Sequence, residues 1–365
     1  MKAKKVLKYV GRVLLVILVT LVLLVGTVYL VLHKICKGPS PAAKAELGSS
    51  LLESGQLKFV AKLVLSKEEI DEITKLNERK PMNTDVLDNS LIHIVNEDNP
   101  DPDITPDPSI PEEEFDENGV RIVKIAGRSF LAKLMIIKDP SQVKVGTTYP
   151  YGEYGKNLHE IVANSGAVGG VNGGLYESTG NKGGQPLGVV VQDGVINCNR
   201  PQSNKGLYMI GLTKDNILQI KDIQGYTQAD IIRYVDEAGI RDAVCFQEES
   251  SDSNNHFVPL IINGEGREMN GQGSGANPRT VIAQRSDGAI MLLVTDGRAA
   301  NGHLGATAAD MIAILLEYGA VNAANLDGGS SSTMVYKGEY EMPSVTFYYN
   351  NKSWNMPTAF VVMPK

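Results

Sequence analysis

The longest apolar run of the chain, residues 13–32, holds twenty residues without a charge. A helix rises about 1.5 Å per residue, so this run is long enough to cross the roughly 30 Å hydrocarbon layer of a bilayer. Beyond it the apolar runs shorten. Ser66-Lys67-Glu68-Glu69 is a capping box that predicts a helix through about Leu76. Residues 280–285 and 289–295 read as strands, and Asp287-Gly288 between them signals a tight two-residue hairpin. With Ser286 paired to Ala289, counting outward sets Arg279 opposite Asp296, side by side on one face. A bulge would shift that register by one residue. Thr307 and Asp310 make an approximate capping box before the helical stripe Met311, Ile312, Leu315 and Leu316, and Gly319 is a fitting stop. Residues 320–326 then resume an apolar run. Strand, crossover helix and strand form a βαβ unit with parallel strands and a right-handed connection. Asp296 and Asp327 thereby fall at carboxyl ends, the edge where ligands bind in α/β sheets.

The same phrase recurs. Gly166-Ala167-Val168 leads to Asn172-Gly173-Gly174, and Gly319-Ala320-Val321 leads to Asn325-Leu326-Asp327-Gly328-Gly329. In both, the Asn comes six residues after the first Gly. A weaker copy starts at Gly239-Ile240, after the helix-like residues 229–238. The reading is a helix–Gly–strand unit used several times, with Asn172 and Asn325 at equivalent strand ends, too irregular for a solenoid. Residues 118–365 are long enough for one substantial domain. The expected fold class is mixed α/β (α+β), with a strand-rich central sheet and more strand than helix.

Charge changes the picture at the N-terminus. Residues 1–12 carry Lys2, Lys4, Lys5, Lys8 and Arg12 with no acid. By the positive-inside rule this tail is cytoplasmic, residues 13–32 span the membrane, and everything beyond lies outside the cytosol. The run's length and the lack of a small-residue cleavage site favour an uncleaved signal-anchor over a signal peptide. Cys36 lacks a lipobox before it. Residues 33–117 read as an extracytoplasmic stalk: the short helix after Ser66, then an acidic, Pro-rich linker over residues 96–118 that cannot bury enough apolar area to fold. The net charge of −7 argues against nucleic acid as a partner. Cys198 and Cys245 are compatible with a disulfide or with two free thiols.

Candidate chemistry gathers where strands end. Asn277-Pro278-Arg279-Thr280, Thr295-Asp296-Gly297-Arg298 and Asn325-Leu326-Asp327-Gly328-Gly329-Ser330-Ser331 each mix charge with glycine or hydroxyls. Each has a plain structural reading too. Arg279 and Asp296 would make a strand-end salt bridge, and the glycines would serve turns needing positive φ. A Ser–His–Asp triad of Ser331, His303 and Asp296 lacks the Gly-x-Ser-x-Gly elbow before a helix. The Asp and Asn oxygens offer ligands for a divalent cation such as Ca²⁺, without an EF-hand-like loop, and no other cofactor is indicated.

From about Val120 to its end the chain resembles the phosphodiester glycosidase family. The likeness rests on Val171-Asn172-Gly173-Gly174-Leu175-Tyr176, Asn277-Pro278-Arg279-Thr280, Thr295-Asp296-Gly297-Arg298, Gly305-Ala306-Thr307 and the Asn325–Ser331 cluster, in this order and spacing. Residues 247–256, acidic and rich in Ser and Asn, depart from the pattern. The resemblance implies a hydrolase that cleaves a sugar-1-phosphodiester at the anomeric carbon. It casts Arg279 and Arg298 as phosphate forks, and Asp296 and Asp327 as the carboxylates that activate water or stabilise the oxocarbenium-like transition state. Asn172, Gly173, Gly174, Asn325, Gly328, Gly329, Ser330, Ser331, Thr307, His303 and Tyr176 become substrate contacts. The implied partner is a sugar phosphate or phosphodiester-linked glycan of a cell envelope or exopolysaccharide. The alternative is a non-catalytic glycan-binding module with the same pocket.

Overall fold

The computed structural model describes residues 2–54, 57–94, 114–250, 255–298, 300–345 and 352–365. Its α-helices are α1 (Lys2–Cys36), α2 (Pro41–Glu53), α3 (Lys58–Val64), α4 (Lys67–Leu76), α5 (Leu158–Asn164), α6 (Gln228–Glu237) and α7 (Ala308–Glu317). Local chemistry sets their ends. Capping boxes open α4 at Ser66, α5 at Asn157, α6 at Thr227 and α7 at Thr307. After α5, α6 and α7 the chain turns through Gly166, Gly239 and Gly319, each at positive φ, where a side chain would strain the backbone. It then enters strands Gly169–Asn172, Ile240–Gln247 and Ala320–Asn325.

Each of these strands lies inside a different sheet, so the expected single central sheet is three. One runs Val120–Ala126, Leu131–Ile137, Ile290–Thr295, Thr280–Arg285, Ala320–Asn325, Pro259–Ile262, Glu265–Gly266. A second runs Glu339–Met342, Met334–Tyr336, Gly169–Asn172, Thr358–Val362, Val143–Thr147, and the third runs Val195–Arg200, Gly188–Gln192, Ile240–Gln247, Leu207–Thr213, Leu218–Asp222. The three contribute to one core, with Ile282 and Leu292 from the first, Val171 and Phe360 from the second, and Ile210 and Val244 from the third. The other face of each sheet packs on one helix: Met311 and Leu315 of α7, Ile161 of α5, and Ile231 of α6. Three helix–Gly–strand units thus aim three strand ends at one place. Strands Ile290–Thr295 and Ala320–Asn325 are parallel, with Thr280–Arg285 between them and antiparallel to both.

The hairpin differs from expectation. The Arg285 amide donates to the Ala289 carbonyl (3.0 Å), so three residues, Ser286 to Gly288, form the loop. Asp287 also binds the Arg285 guanidinium and accepts from the Ala289 amide, holding the wider turn. Thr280 therefore pairs with Val294, and Arg279 falls opposite Thr295 rather than Asp296. Because side chains alternate across a sheet, one residue of slip puts Arg279 and Asp296 on opposite faces.

The expected stalk is in part a folded cap. Ser40 caps α2 with Pro41 in its first turn. Helices α2 to α4 then close a small core of Leu51, Ala61, Val64, Leu65 and Ile73 that also takes in Cys36 of α1. Residues 78–94 continue as a strap across the domain. The Lys80 amide donates to Glu268 (2.9 Å), the Asn270 amide to Glu78 (2.8 Å) and the His93 amide to Ser286 (2.6 Å), while Ile92 packs with Ile217 and Val321. The acidic linker lies outside the described residues except for its last residues, 114–118. The apolar segment expected to span a membrane is inside α1, of which residues 5–36 are long and apolar enough to do so. Cys198 and Cys245 are free thiols.

Candidate active site

A cavity of ≈ 250 Å³ opens where the three strand ends meet. Its wall includes Asn325, Asp327 and Gly328 to Ser331 from the end of one sheet, Tyr176 from the second unit and Phe246 from the third. Asn277, Arg279 and Arg298 add the polar side, with His256, Trp354 and Glu53 completing it.

Asp327 is the carboxylate of this cavity. Its Oδ1 accepts from the Gly328 amide (3.0 Å). Burial pushes its pKa up from 3.8 to about 6, against the opposing pull of the Ser331 hydroxyl, the Gly328 amide and the Arg298 guanidinium. A carboxylate poised near neutrality in a cleft is a candidate acid or base. Arg298 lies close enough to contribute to that balance. Its Nη1 donates to the Ser330 hydroxyl (2.5 Å), and its Nε is buried without a partner among the described residues. Desolvation lowers its pKa to about 10, which still leaves a cation at neutral pH. Arg298 sits at φ 53, an uncommon conformation for a side-chain-bearing residue. A Cβ on Gly329 would come 2.5 Å from Arg298 Nη2, so this glycine makes room for the guanidinium.

Arg279 is buried and heavily tied. Nη2 donates to Glu53 (2.6 Å) and to the Gly275 carbonyl (2.8 Å), and its guanidinium stacks 4.9 Å from the Phe257 ring. The second oxygen of Glu53 accepts from the Gly275 amide (2.7 Å). Arg279 Nη1 makes no hydrogen bond among the described residues. Asn325 Oδ1 and Asn277 Nδ2 are likewise buried and unpaired there. An acceptor, a donor and two guanidiniums thus face one small space, which suits a polar anionic ligand.

Of the other expected site residues, Gly328, Gly329 and Ser331 line the cavity, whereas Asp296, His303, Asn172, Gly173, Gly174 and Thr307 are not among its lining. Asp296 accepts from the Leu131 amide (2.7 Å) and pairs with His303 Nδ1 (2.7 Å). Asn172 staples sheets together. Its Nδ2 donates to the Asp327 carbonyl (2.6 Å), and its Oδ1 accepts from the Thr280 hydroxyl (2.8 Å) and the Thr333 amide (3.2 Å). Gly173 and Gly174 allow close approach: added Cβ atoms would meet Thr358 and Cys245 within 3 Å, with no positive φ required. Thr307 caps α7 and bonds Gln272. Ser331 pairs with Tyr176 (2.8 Å) rather than with a histidine. The amides of Gly328, Gly329 and Ser331 donate to Asp327, Pro278 and Gly328, so they are not an open anion nest. Sequence reasoning missed Glu53, His256, Phe246 and Trp354. Ser40-Pro41 followed by Leu47, Leu51 and Leu52 was the signal available for the helix that carries Glu53. Burial and the nearby Arg279 lower the His256 pKa to about 4, so its ring is neutral at pH 7. Among the described residues no group of three or more His, Cys, Asp or Glu gathers as for a metal ion.

A family model described as phosphodiester glycosidase matches residues 165–363, more than half of the chain. The chain belongs to the phosphodiester glycosidase family. The fold is shared with the catalytic domain of zebrafish N-acetylglucosamine-1-phosphodiester alpha-N-acetylglucosaminidase, described as auto-inhibited by its pro-peptide. That match has a TM-score of 0.50 and 18% identity over 67% of this chain and 82% of that one. A curated relative, the SPbeta prophage-derived uncharacterized protein YomE of Bacillus subtilis (strain 168), is 44% identical over 64 residues. The match takes in 18% of this chain and 10% of the relative, so the chain spans about a tenth of that protein's length. Within this family's chain, the cavity with Asp327, Arg279 and Arg298 is the candidate active site.

Proposed function

We propose that this family member hydrolyses glycosyl phosphodiesters outside the cytosol, anchored to the membrane by α1. One observation carries the reading: a carboxylate with a pKa near 6 shares a sugar-sized cavity with two arginines. The arginines match the single negative charge of a phosphodiester. Arg298 offers its unpaired Nε, and Arg279 its Nη1. Tyr176 and Trp354 give the sugar an apolar wall, and Asn277 and Asn325 give its hydroxyls partners.

In the reaction, water attacks the anomeric carbon while the bond from that carbon to the phosphate oxygen breaks. The electron pair leaves with the phosphate monoester, which the guanidiniums stabilise, and Asp327 takes the proton of the attacking water. Phosphate is a good leaving group, so one carboxylate suffices without a strong acid beside it. Asp296, engaged by Leu131 and His303, serves the scaffold in this scheme.

NMR product analysis on a panel of sugar-1-phosphodiesters tests the proposal. Free sugar released by the full chain, and lost in Asp327→Asn and Arg298→Ala variants that remain folded, is the expected outcome. Retention of glycan without release would instead make the cavity a binding module.

A further inference from the structure

Helix α1 ends inside the cap rather than in a free tether. Leu32 and Cys36, in its last turns, join the apolar cluster of Leu47, Leu51, Leu57, Val60 and Val64, and α1 lies directly against α2 and α3. When residues 13–32 fill the roughly 30 Å hydrocarbon layer, Leu32 marks the layer's edge. The neighbouring α3 is then level with the lipid headgroups.

The outward face of α3 fits that place. Phe59 and Leu63, one helical turn apart, are 64% and 63% exposed, and the exposed Lys62 lies beside Leu63. Single exposed apolar residues are ordinary. An exposed Phe–Leu pair with a lysine beside it, next to the point where a membrane helix emerges, has the make-up of an interfacial helix face. The same cap reaches the cavity. Helix α2 packs on α1 and carries Glu53, a cavity residue, at its last position. Its thirteen residues span only about 20 Å.

We propose that the exposed face of α3 lies in the lipid headgroup layer and, together with α1, holds the cavity at the bilayer surface. The substrates are then sugar-1-phosphodiesters carried on membrane-anchored molecules. The substrate clause rests on the hydrolase reading above; the docking of α3 does not.

The test uses the full chain reconstituted into vesicles of zwitterionic and anionic lipid. In a Phe59→Trp variant, lipids brominated near the headgroup should quench the added fluorescence at least about twofold. A Val195→Trp variant, on the edge strand of another sheet, should show no such quenching. Hydrolysis of a lipid-tailed sugar-1-phosphodiester in the same vesicles should fall about fivefold or more in a Phe59→Ser/Leu63→Ser variant. Hydrolysis of a water-soluble analogue should be unchanged. Unquenched Phe59→Trp fluorescence overturns the docking. Equal rates of the variant and the unsubstituted chain on the lipid-tailed substrate overturn the substrate clause and leave the hydrolase reading standing. If the unsubstituted chain cleaves neither substrate, the hydrolase reading and the substrate clause fall together, and quenching alone reports on docking.

Discussion

Asp327 shows how one residue can trade stability for chemistry. Its folded pKa of about 6 lies above the ordinary 3.8, so the native state holds this proton more tightly than the unfolded chain. The contribution to stability is full below about pH 4 and is lost as pH rises through about 6. Asp327→Asn should therefore raise the melting temperature at pH 8, by an amount equivalent to roughly 3 kcal/mol, while removing activity. In the unsubstituted chain kcat/KM should climb through an apparent pKa near 6, since a base must be ionised to accept the proton. A pH profile flat from 5 to 8 would exclude Asp327 as that base. Glu53 makes the opposite case. It neutralises Arg279, so Glu53→Gln should strengthen the positive field in the cavity and lower KM severalfold with kcat little changed. Leaving Arg279 buried without its counter-ion should also cost about 3 kcal/mol of stability. Steady-state kinetics and thermal melts read both effects.

At the scale of elements, the sequence was legible where local chemistry decides. The capping boxes at Ser66 and Thr307 and the glycine after each of α5 to α7 specified helix ends. The order of the repeated units put Asn172 and Asn325 at equivalent strand ends. The hairpin was not legible to one residue, because Asp-Gly suits both two- and three-residue loops and Asp287 favours the longer one through Arg285 and Ala289. That slip decides whether Asp296 meets Arg279. Thr307, expected as a substrate contact, is instead a buried cap. Thr307→Ala should cost about 1–2 kcal/mol in chemical denaturation and leave KM unchanged.

For the whole molecule, the decisive feature is the cap. Residues 41–94 bring Glu53 to the cavity, place Arg79 4.5 Å from the Phe257 ring on which Arg279 also stacks, and strap Ile92 against Val321. A chain begun at residue 118, the boundary that composition alone suggests, should lose these contacts and with them both cooperative unfolding and activity. A chain begun at residue 37 should keep them. Denaturation monitored by circular dichroism, alongside activity on a soluble phosphodiester, separates the two.

By itself the sequence determined the apolar span, the helix caps, the helix–Gly–strand units and the residues available for chemistry, because each depends on neighbours a few positions apart. Only the tertiary structure decided which of those residues share a cavity. It tied Asn172 and Asp296 into the scaffold, gave Asp327 its buried setting, and drew Glu53 across more than two hundred residues to Arg279. Those outcomes depend on register, burial and the docking of distant segments, which local pattern does not encode.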